Sequence, residues 1–224
     1  AARQQQLANT ANEPGNVLRT RLHELQRLTA ISNEDPEVCA GMTEALKATT
    51  TVPTLRMNSM DLHIPFMRED FNQAMRLIPA SVEQEWGAAR TALLASEEPV
   101  DTTFAEWSLR RTGELHAAGV PIAAGTDTPI GWSIPGYSLH TELEQYVEVG
   151  MKPLEALYSA TVAPAEYFGL EDEMGQLKVG FIADAVLLTG NPIENIIDTR
   201  SVQAVINRGA LLRRAQLDSL ITER

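Results

Sequence analysis

Six apolar residues, Val120-Pro121-Ile122-Ala123-Ala124-Gly125, run without interruption into Thr126-Asp127-Thr128-Pro129. A run this short and this apolar suits a strand buried on both faces. Ahead of it, residues 103–118 read as a helix closed by Gly119, the usual residue just past a helix end. A β-branched run lies further upstream, Thr49-Thr50-Thr51-Val52-Pro53-Thr54-Leu55, with Pro53 marking its end or an irregular position. Strand alternating with helix predicts β/α units of a parallel sheet or barrel. In a β/α barrel, reactive residues sit where strands give way to loops, on the C-terminal face. Asp127 occupies such a position, ahead of a loop holding Gly131, Pro135 and Gly136. A carboxylate there can bind a metal, act as a base, or cap the following turn.

The rest of the chain divides by period. Residues 1–16 are polar and end in Glu13-Pro14-Gly15-Asn16, which is turn chemistry. Leu18, Leu22 and Leu25 predict an amphipathic helix over 17–30. Asp35 before Pro36 predicts a capped helix with Val38, Met42 and Ala45 as its buried stripe and Cys39 as a packed thiol. Residues 56–81 show no clean period; a connection this long is functional or a lid, with room for short helices. Val82, Trp86, Ala89 and Leu93 mark another helix, broken at 97–101. Thr141-Glu142-Leu143-Glu144 matches a capping box, which predicts a helix start there and a buried face of Leu143, Tyr146 and Val147. Pro153 and Pro164 open two further helices, the second closed by Gly169. Beyond 173 the character changes to short β-rich segments at 175–179, 183–188, 202–207 and 210–212, with Arg208-Gly209 turning a hairpin. Residues 215–224 predict a short terminal helix.

Charge narrows the function classes. Eighteen Lys and Arg against thirty Asp and Glu give a net charge of −12, which argues against nucleic acid and against anionic membranes. No apolar run approaches the roughly 18 residues of a membrane span. The polar, glutamine-rich start shows no signal peptide. The chain begins with Ala, so residue 1 is expected not to be the first residue of the gene product. The single cysteine, Cys39, excludes an intrachain disulfide; a cytoplasmic location fits, and a disulfide-free periplasmic enzyme fits as well.

The string His116-Ala117-Ala118-Gly119-Val120-Pro121-Ile122-Ala123-Ala124-Gly125-Thr126-Asp127 resembles the last barrel strand of the amidohydrolase superfamily. The segment from Gly136 through His140 and Glu144, then Gly150-Met151-Lys152-Pro153 to Ala160-Thr161, is similar to the helices that follow in its imidazolonepropionase-like and prolidase-like branches. Gly175-Gln176-Leu177-Lys178-Val179-Gly180, then Asp184, Asn191-Pro192 and 202–209, resembles their C-terminal β-sandwich part. Val52-Pro53-Thr54-Leu55 is similar to the penultimate barrel strand. The resemblance covers about 49–213. It implies an α/β chain: the last two β/α units of a TIM-like (β/α)8 barrel over 1–172, β-sandwich strands over 173–213, and a C-terminal helix or tail over 214–224.

The resemblance also implies chemistry: hydrolysis of a C–N bond in a small amide, cyclic amide or dipeptide by a water activated on a divalent metal, zinc in our reading. The residue matching Asp127 serves there as metal ligand and proton shuttle. The family's other ligands are a His-x-His pair on the first strand, a lysine or acid on the fourth, and histidines on the fifth and sixth. None is recoverable here. His23, His63, His116 and His140 are scattered and no His-x-His occurs. The first six strands are therefore expected upstream of residue 1. The isolated chain is expected to bind little or no metal, to be inactive, and to self-associate or remain with the missing N-terminal half. Two alternatives stay open: a non-catalytic binding or assembly protein, and a subunit completed by another chain. Arg56 and His63, after a barrel strand, are candidates for substrate binding. His140 either approaches substrate or holds the last loop by hydrogen bonds. His23 and His116 read as structural, and Asp184 as a turn or strand-pairing residue.

Overall fold

A computed structural model of the chain describes residue 8 and residues 26–222. The predicted helix over 17–30 lies mostly outside them; residues 26–32 are helical. The described chain is mixed α/β, with helices dominating the first three quarters and one small antiparallel sheet near the end.

Local signals built several elements as expected. Helix α1 (Pro36–Leu46) starts where Asp35 accepts from the N–H groups of Glu37 and Val38 at 2.9 and 3.3 Å, with Pro36 at the position where a missing N–H is harmless. Its predicted stripe is turned outward, however: Val38 and Met42 are 59% and 58% exposed. The helix docks instead through its Cys39–Thr43 side, where Arg111 donates to Cys39 O (3.1 Å) and Thr43 Oγ1 (2.8 Å). These polar contacts set a rotation that apolar periodicity does not register.

The segment after Val52 also differs from expectation. It is not a strand to Leu55. It pairs at one residue, Thr51, and then winds into the short helix α2 (Leu55–Asn58). The aperiodic stretch 56–81 hides more short helices: a 3-10 turn at Pro65–Met67, α3 (Glu69–Ala74) and a second 3-10 turn at Met75–Leu77. Pieces this short bury too few turns for a 3.6-residue period to show. They still assemble a core. Phe66, Phe71, Ala74, Met75, Ile78 and Ile134 are buried together, and Trp86 of α4 (Ala80–Ala95) stacks near Phe71.

A larger core gathers the second half. Leu109 of α5 (Thr103–Ala117), Leu143 and Tyr146 of α6 (Tyr137–Glu148), and Ala156 of α7 (Pro153–Ala160) close on Leu55, Ile122 and Met151. Helix α8 (Val162–Phe168) ends at Gly169 in the left-handed conformation, φ +69°. Pro164 sits inside that first turn rather than opening it. Ile196, from the 3-10 turn Ile196–Arg200, completes the cluster and ties the C-terminal part to α6.

The sheet comprises β1 (Ala185–Leu188), β2 (Val202–Asn207) and β3 (Ala210–Arg213), antiparallel in that order. Asn207 opposes Ala210 across the Arg208-Gly209 turn. Asp184 accepts from Arg208 N at 2.6 Å, the turn role expected of it. The predicted strand at 175–179 is absent: the backbone turns there, and Leu177 and Val179 are 84% and 102% exposed. With no strand beside it among the described residues, an alternating run has nothing to pair with. Helix α9 (Arg214–Thr222) follows β3 directly.

Candidate active site

Two extended segments lie side by side and in parallel. Thr51 N donates to Pro121 O at 2.9 Å, and Ala123 N donates to Thr51 O at 3.0 Å. The pairing amounts to a single parallel bridge, Thr51 with Ile122. The run 120–125 is therefore extended but not the regular strand its composition predicts; among the described residues no longer ladder flanks it. Gly125 permits the close approach, since a Cβ there would come within 2.5 Å of Val52 Cγ1. Because the segments are parallel, their ends emerge on one side. One continues to Thr54 and Arg56, the other to Asp127. Both leave through left-handed residues: Thr54 has φ +49° and Asp127 φ +53°. Aspartate tolerates this conformation, whereas a β-branched threonine is strained in it. Strain of this kind concentrates at functional sites.

Glu142 organises the ground beneath. Its side chain is fully buried, and its two oxygens accept from Leu55 N at 2.8 Å and Arg56 N at 2.6 Å. It thus caps α2 from a helix 86 residues away. Burial pushes its carboxyl up to about 7, opposed by the two backbone donors and by Tyr146. The Arg56 backbone is held by Glu142, and its side chain reaches the other way. Arg56 Nη2 donates to Gly131 O at 2.8 Å and lies 3.5 Å from Ile130 O. The connection runs from α6 through Arg56 to the loop carrying Asp127. Arg56 is 3% exposed, and burial lowers its pKa against the favourable charges of Glu142 and Asp127. Asp127 itself is exposed.

The other candidates lie elsewhere. His140 is on α6; its Nδ1 is 2.9 Å from Thr199 Oγ1. Thr199 gives its only hydroxyl proton to Ile196 O, so His140 must donate through Nδ1–H. Burial, followed by the nearby Arg200 charge, lowers the His140 pKa. The side chain ties α6 to the turn at 196–200. His63 Nε2 lies 3.1 Å from Glu148 Oε2, in a cavity between α6 and the 62–71 segment. His116 stands 3.4 Å from Glu155. The structure therefore brings Arg56 and Asp127 toward one loop and leaves His63, His116 and His140 apart. Among the described residues no group of three His, Cys, Asp or Glu is placed to hold a metal ion. An exposed Asp127 without companions does not fit a catalytic metal centre, which needs about three protein ligands.

The capping-box reading of Thr141 and Glu144 is overturned. Helix α6 starts four residues earlier, after Gly136 at φ +76°. Thr141 accepts from Arg200 Nη2 at 2.9 Å. Glu144 accepts from Arg68 Nη1 at 2.8 Å and Arg200 Nε at 2.6 Å. Arg68 also pairs with Asp70 at 3.0 Å. Glu142, the residue that organises the site, stood inside the same string. Its signal was a carboxylate on the apolar face, next to Leu143 and one turn before Tyr146.

A family model described as "Amidohydrolase family" matches residues 108–212, the stretch that holds Asp127, α6 and the sheet. That match spans just under half of the chain, and over this stretch the chain is similar to amidohydrolases. It is 44% identical over 81 residues to ochratoxinase of Aspergillus niger, an overlap of 35% of this chain and 16% of that enzyme. Imidazolonepropionase of Symbiobacterium thermophilum is 38% identical over 81 residues, 36% of this chain and 18% of that one. A solved Xaa-Pro dipeptidase with methionine bound in its active site superimposes with a TM-score of 0.55 at 26% identity. That match covers 80% of this chain and 37% of the dipeptidase. The chain thus spans well under half the length of the relatives it matches. No helix among the described residues is long and apolar enough to cross a membrane.

Proposed function

We propose that this chain is the C-terminal part of a hydrolase acting on the C–N bond of a small amide, cyclic amide or dipeptide, with Asp127 as its catalytic carboxylate. The observation that carries the reading is the placement of Asp127: exposed, left-handed, just past a parallel-paired segment, within the stretch that matches the amidohydrolase family. Ochratoxinase, imidazolonepropionase and the Xaa-Pro dipeptidase support this substrate range by their names. In the reaction, the Asp127 carboxylate accepts a proton from the attacking water as its oxygen bonds to the carbonyl carbon. It returns that proton to the nitrogen as the C–N bond breaks. Arg56 holds the loop by the carbonyls of Gly131 and Ile130, and Glu142 holds Arg56, so the carboxylate keeps its aim.

Amidohydrolases are typically metal-dependent, and a divalent ion, zinc in our reading, belongs to the complete enzyme. The described residues alone do not fit it, so the remaining ligands come from outside them. The chain by itself is inactive in this account. Among the described residues, those up to 172 are read as part of a barrel, β1–β3 as sandwich strands and α9 as a terminal helix. The chain associates with the missing part or with a second chain that supplies it.

The test compares the 224-residue chain with a version extended by the coding sequence that precedes residue 1. Turnover of dipeptides and N-acyl amino acids is expected only in the extended protein, with Asp127→Asn abolishing it. Equal turnover in the Asp127→Asn variant overturns the role of Asp127. Tightly held metal and turnover in the unextended chain overturn its incompleteness.

A further inference from the structure

The cavity between α6 and the 62–71 segment holds a volume of about 320 Å3, in the range of pockets that take small organic ligands. Its charges do not close. Arg68 and Arg200 are answered by Glu144 at 2.8 and 2.6 Å and by Asp70 at 3.0 and 3.4 Å, and Glu148 faces His63 at 3.1 Å. Arg56, also in its wall, forms no carboxylate ion pair among the described residues. Its Nη2 rests on two neutral carbonyls, and its buried Nε has no hydrogen-bond partner. Glu142 and Asp127 lend Arg56 their field, but neither carboxylate pairs with its guanidinium, and Glu142 directs both oxygens to backbone N–H groups. A cation this deeply buried is costly unless a negative group meets it.

A second observation points into the same space. Gln145 lines the cavity, is 3% exposed, and leaves its buried Oε1 without a hydrogen-bond partner. A buried acceptor left unmade is costly as well. The remaining wall is apolar, formed by Leu62, Ile64, Met67 and Phe71.

We propose that this cavity binds a small carboxylate that carries an apolar body and a hydrogen-bond donor beside the carboxylate. The carboxylate meets the Arg56 guanidinium, the donor meets Gln145 Oε1, and the apolar body lies against Leu62, Ile64, Met67 and Phe71. The proposal is independent of the hydrolase reading, because binding is measured on the 224-residue chain without turnover.

Calorimetric titration with three probes tests it. N-acetyl-leucine has carboxylate, donor and apolar body; 4-methylpentanoate lacks the donor; N-acetyl-leucinamide lacks the charge. N-acetyl-leucine is expected to bind at least about tenfold more tightly than N-acetyl-leucinamide, and about threefold or more above 4-methylpentanoate. Gln145→Leu should erase the second difference and keep the first. Arg56→Gln should erase the first. Because Arg56 also holds the 130–131 loop, that variant can fail to fold; the leucinamide comparison on the unaltered chain then decides the charge requirement. Equal affinity for all three probes, no binding of any, or an unchanged probe order in Gln145→Leu overturns the proposal.

Discussion

The α6–α2 contact and the three-stranded sheet are built on opposite terms. Around Glu142 the polar groups are buried and answered: Leu55, Tyr146 and Glu142 are all fully covered, and two backbone donors find both carboxylate oxygens. In β1, consecutive residues Val186 and Leu187 are 56% and 61% exposed. Neighbours in a strand point to opposite faces, so both faces of this sheet edge show apolar surface. One region derives its stability from long-range partners within this chain. The other has local hydrogen bonds in place and its apolar faces uncovered. Stability should therefore be unevenly distributed between the two regions.

The largest effects belong to the first region. Leu55→Ala removes a fully buried side chain and should cost about 2–5 kcal/mol. Glu142→Ala strands the N–H groups of Leu55 and Arg56 in a buried setting and should cost a similar amount, roughly 1–3 kcal/mol for each orphaned donor. Denaturant unfolding followed by circular dichroism measures both. A Glu142→Ala cost within about 0.5 kcal/mol, the range of an ordinary surface change, would show that the cap is incidental.

Much of this contrast escapes a reader of the sequence, for a physical reason. Asp35 and Pro36 announce α1 because a helix cap is decided within four residues. Gly119, Gly169 and the Arg208-Gly209 turn are legible for the same reason. Glu142 is not, because its partners are 86 and 87 residues away. The Thr141-to-Glu144 string satisfies a local rule, yet Arg68 and Arg200 claim both side chains. The position of Asp127 was readable from an apolar run ending in Gly-Thr-Asp. Arg56 stood out only as a charge after a strand-like run, and its tie to Gly131 needed the fold.

The next effect is a pH dependence. Burial raises the Glu142 carboxyl from 4.5 in the free side chain to about 7. Between those values the folded state holds a proton that the unfolded state releases. The resulting stabilisation is fully present below about pH 4.5, declines as pH rises, and is gone above about pH 7. Its size is of order 2–4 kcal/mol. Asp70 works the other way: burial would raise it, but the Arg68 hydrogen bonds and the charges of Arg200 and Arg68 outweigh burial and lower it to about 2. Its contribution is present above about pH 4 and is lost on acidification below that. Unfolding free energies at pH 5 and pH 8, for the parent and for Glu142→Gln, isolate the first effect. The parent should be less stable at pH 8, and the variant should flatten that difference. A parent equally stable at both values, with the variant unchanged, would place the Glu142 pKa in its ordinary range.

The smallest effect on stability is expected in the sheet, and there it separates stability from association. Val186→Thr and Leu187→Thr keep β-branched or strand-compatible side chains in β1 while reducing exposed apolar surface. Because both positions are already more than half exposed, each change should alter unfolding free energy by no more than about 0.5 kcal/mol. Yet among the described residues β1 is an edge strand, with β2 on one side only. An apolar edge with unpaired backbone groups invites another chain to pair or pack there. The double variant should therefore reduce concentration-dependent self-association in sedimentation velocity, while its denaturation midpoint stays put. If the midpoint drops by several kcal/mol equivalent, the sheet faces are covered in solution within a single chain, and the contrast with the α6–α2 contact collapses. If association is unaffected, the contact between copies runs through another surface, such as exposed Tyr167 and Phe168 on α8, which are 62% and 72% accessible.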